Sequence, residues 1–81
     1  MKKQYITAFK MLKNVGCPVY VHDDDKGNFS INCSGEEADE WACYYSPMGY
    51  AWVAERLDRY LQGRGLFAEW VNPERLSVYI A

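Results

Sequence analysis

A long apolar run is the first thing missing from this sequence. No segment approaches the ~20 apolar residues that a membrane span needs. Lys10 and Lys13 interrupt the N-terminal stretch where a secretory signal would carry its apolar core. A large surplus of positive charge is missing too. With 9 Lys and Arg against 11 Asp and Glu, the net charge is −2, so no broad footprint for a phosphate backbone is present. Paired metal-ligand spacing is absent: there is no C-x-x-C, and His22 is the only histidine. The three cysteines, Cys17, Cys33 and Cys43, are an odd count without a secreted framework's spacing. Repeats, linkers and low-complexity segments are absent as well. These absences lead us to expect a soluble, reduced, cytoplasmic protein with no cofactor and no metal.

What is present belongs to a folded protein. Of 81 residues, 49% are hydrophobic and 16% aromatic, with seven tyrosines and three tryptophans. That length allows a single domain over residues 1–81, and large rings supply much area to a small core.

Residues 3–15 read as an amphipathic helix, because Tyr5, Ala8, Phe9, Leu12 and Val15 recur at helical spacing. Asn14, Gly16 and Pro18 end it. Val19–His22 and Phe29–Cys33 alternate like strands around Asp24-Asp25-Lys26-Gly27, a turn closed by glycine in the left-handed region. That turn pairs Val21 with Ile31 and Val19 with Cys33. It puts Val19, Val21, Phe29, Ile31 and Cys33 on one face, and Tyr20, His22, Asn28, Ser30 and Asn32 on the other.

Ser34-Gly35-Glu36-Glu37 has the form of a capping box opening a helix with Ala38, Trp41, Ala42 and Tyr45 inward. Ser46-Pro47 would start another, carrying Tyr50, Val53, Ala54, Leu57, Tyr60 and Leu61 inward, with Glu55 and Arg59 paired outside. Leu66–Val71 and Leu76–Ile80 read as a last hairpin. If Asn72 pairs with Arg75, Phe67 and Val71 face the core, while Trp70 and Tyr79 face away. The order is α-β-β-α-α-β-β, and the expectation is an α+β fold: a four-stranded, mainly antiparallel sheet of two hairpins with helices on one face.

The three consecutive aspartates raise the question of calcium. An EF-hand loop needs acids at positions 1, 3 and 5, glycine at 6 and glutamate at 12. A start at Asp23 puts Asn28 at 6 and Ser34 at 12. A start at Asp25 puts Gly27 at 3, and a start at His22 puts Lys26 and Cys33 at ligand positions. A solvated turn explains the run. Nucleophilic catalysis needs a base beside the nucleophile, and the hairpin's alternation points Cys17 and Cys33 away from His22. Gly63-Arg64-Gly65 follows a helix, whereas phosphate-binding loops follow strands. No catalytic residue is assigned.

Two surfaces remain. Asp23, Asp24, Asp25, Glu36, Glu37 and Glu40 form an acidic set suited to a basic protein partner, such as a nucleic-acid-binding protein whose phosphate sites it would occupy. Tyr20, His22, Trp70 and Tyr79 form an aromatic sheet face able to stack unpaired bases, with Lys2, Lys3, Lys10, Lys13 or Arg64 at its edge, unless a helix covers it. We therefore expect a small non-catalytic interaction module working through its acidic surface. By size and charge alone it is comparable to phage or mobile-element inhibitors of the anti-defence type. Binding of single-stranded nucleic acid is the alternative, and a homodimer is compatible with exposed rings.

Overall fold

The computed structural model describes all 81 residues. The first helix, α1 (Lys3–Asn14), forms where the apolar spacing places it and buries Tyr5, Ala8 and Leu12. Phe9 meets Phe29 edge to face, with ring centroids 5.4 Å apart. Gly16, at φ +90°, turns the chain out of the helix ahead of Pro18. Val15, expected on the apolar stripe, lies past this end and is exposed.

The main sheet has four antiparallel strands in the order β1 (Val19–Tyr20), β2 (Phe29–Asn32), β6 (Arg75–Ile80) and β5 (Leu66–Asn72). The fold is α+β, with α1 and α2 (Glu55–Gln62) packed on one face of that sheet. Phe29, Ile31, Leu66, Leu76 and Val78 from the strands meet Leu57 and Leu61 from α2 in the core. Burying each leucine contributes roughly 2 kcal/mol. Glu55 and Arg59 pair on the exposed side of α2. No helix is long and apolar enough to cross a membrane.

The middle of the chain departs from the two expected helices. Residues 34–45 give only a short 3-10 turn at Glu36–Ala38, then β3 (Ala42–Cys43). The chain returns as β4 (Trp52–Val53), which pairs Ala42 with Val53 and Cys43 with Trp52 in a separate two-stranded ribbon. The capping box does not form. Ser34 instead gives both its N–H and its hydroxyl to Asn32 Oδ1, at 3.0 and 2.6 Å, an Asx turn just past the end of β2. Ser46 Oγ does accept the Met48 N–H, as a helix cap would, but it also donates to the Tyr50 carbonyl. With Gly49 at φ +83°, this closes a turn at the ribbon tip, and helix α2 begins only at Glu55.

Both hairpins also pair differently from expectation. Val19 lies opposite Ile31 and Tyr20 opposite Ser30, two residues away from the expected register. A shift of two preserves the faces. The pairing ends at Tyr20 and Ser30, so that residues 21–28 form a loop rather than a tight turn; Gly27 still takes the left-handed conformation, at φ +83°. In the second hairpin Asn72 does pair with Arg75, but the register slips between Trp70 and Asn72. The extra residue, Val71, reverses the alternation before it. Trp70 therefore lies opposite Leu76 on the core side, and Phe67 opposite Tyr79 on the outer face.

Candidate functional site

The 21–28 loop is organised by one carboxylate. Asp25 accepts from the His22 N–H at 2.9 Å, from Ser30 Oγ at 2.9 Å and from Arg75 Nη2 at 2.9 Å. Its side chain is 1% exposed and that of Arg75 8%. Arg75 Nε also donates to Ser30 Oγ, which lies 2.9 Å from Ser77 Oγ. A hydroxyl has one proton and two lone pairs. Ser30 donates to Asp25, so the Ser77 hydroxyl donates to Ser30. This cluster buries Ser30 and Ser77 on the sheet face that carries no helix. Asp25 is thus an internal ligand of Arg75 and no part of a solvent-facing acidic set.

The other acids divide. Asp23 and Asp24 sit before β2, whereas Glu36, Glu37 and Glu40 follow it. Glu40 accepts from Arg56 at 2.8 Å, and Arg56 lies 4.0 Å above the Trp41 ring. Glu36 and Glu37 remain exposed on their short turn. With Asp25 buried against Arg75 and Glu40 paired with Arg56, the six acids are not one free solvent-facing set.

The aromatic sheet face divides as well. Tyr20 and His22 stay together, edge to face at 6.1 Å, and His22 Nδ1 accepts the Asp24 N–H at 3.0 Å. Tyr79 lies beside Phe67 at 5.7 Å on the outer face. Trp70 leaves this group, because its ring meets Tyr44 edge to face at 5.3 Å on the core side. The cation nearest to this face in the sheet, Arg75, is already bonded to Asp25, so the face offers it to no phosphate.

The thiols are poorly suited to attack. Burial pushes the Cys17 thiol up to about 12 and Cys33 to about 11. Each stays a protonated, weak nucleophile near neutral pH. No group of three or more His, Cys, Asp or Glu side chains is placed to hold a metal ion.

One surface was not singled out by sequence reasoning: the tip of the β3–β4 ribbon. Tyr45 is 79% exposed, Tyr50 61%, Met48 53% and Tyr44 38%. Tyr44 and Tyr45 contact one another edge to face at 5.2 Å. A shallow groove of about 440 Å³ runs between Tyr44, Tyr45 and Tyr50. A second, of about 390 Å³, lies between Tyr45, Ser34 and Glu74. The signal for this site is compositional: Tyr-Tyr-Ser-Pro-Met-Gly-Tyr over 44–50 combines rigid aromatic anchors with small turn residues, as binding loops do. No family model, curated protein or solved structure matches the chain.

Proposed function

We propose that the protein is a non-catalytic module that binds another protein through the tip of the β3–β4 ribbon. The observation that carries this reading is the outward placement of Tyr44, Tyr45, Met48 and Tyr50 on one loop whose conformation is fixed by Ser46 and Gly49. Tyrosine and methionine are enriched where interfaces bury their centres, and a preset loop reduces the entropy lost on binding. Glu74 borders the Tyr45 groove, and Ser34 in its wall leads directly to Glu36 and Glu37. An apolar centre with an acidic margin suits a partner presenting basic side chains around an apolar patch. Occupying the phosphate-binding surface of such a partner would inhibit it. Action in the cytoplasm, where the three thiols stay reduced, belongs to the same proposal.

The test compares proteins cross-linked to the wild type and to Tyr45→Ala/Tyr50→Ala in host cells. A specific partner captured by the wild type should be lost in the double variant while the circular dichroism spectrum is unchanged. Charge reversal at Glu36 and Glu37 should weaken capture and reduce its salt dependence. Retention of the partner by both variants would place the binding surface elsewhere.

A further inference from the structure

Phe29 and Val78 form the last pair between β2 and β6. Beyond it β6 runs on to Ile80, whereas the residues before Phe29 have turned away into the 21–28 loop. Tyr5, reaching across from α1, accepts the Ile80 N–H there at 2.8 Å. Between this hydroxyl and the loop lies a cavity of about 270 Å³, whose walls include Tyr5, Asp24, Lys26, Asn28, Arg75 and Tyr79.

Two donors in this wall have nothing to donate to. Arg75 gives Nε to Ser30 and Nη2 to Asp25, but its Nη1 makes no hydrogen bond. Asp24 Oδ2 stands 3.6 Å from Nη1, beyond hydrogen-bond length. The Tyr5 hydroxyl accepts from Ile80, and its own proton meets no acceptor in the chain. Tyr5 is 8% exposed and Arg75 7%, and donors buried this far are almost always paired. Lys26 lines the same cavity and forms no ion pair.

An occupant of this cavity must therefore bring acceptors, and charge narrows the choice. Asp25 balances the Arg75 charge, which leaves Lys26 as the one unpaired cation, with Asp24 close by. A dianion such as phosphate would face two carboxylates with one free cation to offset it. A carboxylate carries a single charge on two oxygens that accept several hydrogen bonds. We propose that the cavity binds the carboxylate of an amino-acid-sized group, with Tyr5 Oη and Arg75 Nη1 donating to its oxygens and Lys26 balancing its charge. Tyr79 supplies apolar surface for the substituent, and the volume is below that of sites for drug-sized ligands. A free amino acid and the C-terminal residue of a peptide both carry this group. The site uses none of the residues at the ribbon tip.

Amide NMR titration of the full chain tests this, with alanine, N-acetylalanine and N-acetylalaninamide as probes. Either acid should shift the Lys26, Asn28 and Ile80 amides and saturate with a Kd on the order of 1 mM. N-acetylalaninamide, which lacks the carboxylate, should leave them unmoved. Tighter binding of alanine identifies a free amino acid, and tighter binding of N-acetylalanine a peptide end. Lys26→Gln and Tyr5→Phe should each raise Kd by roughly fivefold or more, while Lys10→Gln, on the exposed side of α1, should not. If Tyr5→Phe does not fold, Lys26→Gln, at an exposed position, decides. No saturable shift with either acid, equal shifts with the amide, tighter binding of inorganic phosphate, or an unchanged Kd in Lys26→Gln would overturn the proposal.

Discussion

Arg75 Nη2 donates to Asp25 Oδ1 across 2.9 Å, tying together residues fifty positions apart in the chain. The pair holds the 21–28 loop over the helix-free face of the sheet. Removing one member of a buried pair strands the other's charge, and Asp25 is also the acceptor for Ser30 and the His22 N–H. Asp25→Ala should lower stability by about 3 kcal/mol or more. Asp23→Ala, on an exposed residue of the same run, should stay within about 0.5 kcal/mol. Urea unfolding of the two variants separates them.

The thiols make stability depend on alkaline pH. Their folded values, about 12 for Cys17 and about 11 for Cys33, lie above the ordinary 9.0. The folded state therefore favours the protonated forms, and this contribution is complete below about pH 9. As pH rises from there toward 11 to 12, the unfolded chain loses protons that the folded chain keeps. Each thiol then removes stability at about 1.4 kcal/mol per pH unit. Cys17→Ala should lessen the slope of unfolding free energy between pH 9 and 10.5. At pH 8, iodoacetamide should label Cys17 and Cys33 only after unfolding, as peptide mass spectrometry can follow.

Trp70 packs on the core side against Tyr44. Trp70→Ala should cost about 2 to 3 kcal/mol through the cavity it leaves, whereas Tyr79→Ala, on the outer face, should cost less. Thermal unfolding of both variants checks the strand alternation that the Val71 bulge imposes.

Single-stranded oligonucleotides should not bind with a steep salt dependence. Phe67 and Tyr79 offer rings, but Glu69 shares their face and Arg75 is held by Asp25. A log–log slope steeper than about −2 in fluorescence anisotropy would contradict this assignment of the face.

Where one periodicity dominates, the sequence was enough. Tyr5, Ala8 and Leu12 define α1, and Leu76 and Val78 define the inner face of β6. The misread stretches are those where a local signal serves two structures. The Ser46 hydroxyl accepts an N–H two residues on in both a helix start and a turn. Trp41 and Ala42 fit a short helical stripe and equally a strand entering the core. Other features have no local signal. The loop register depends on Arg75, far along the chain, and the alternation in β5 depends on one bulged residue. The tyrosine tip was hidden by its assignment to helices, which turned Tyr45 and Tyr50 inward.

The inner strand that β2 and β5 both require, β6, comes after each of them in the chain. Until Ile80 has left the ribosome β2 has only the two-residue β1 beside it and β5 has no partner strand, so no amino-terminal fragment can assemble the four-stranded sheet by itself. A chain stopped short of Arg75 would leave the aspartate loop with nothing to grip and expose apolar strands to the cell's proteases.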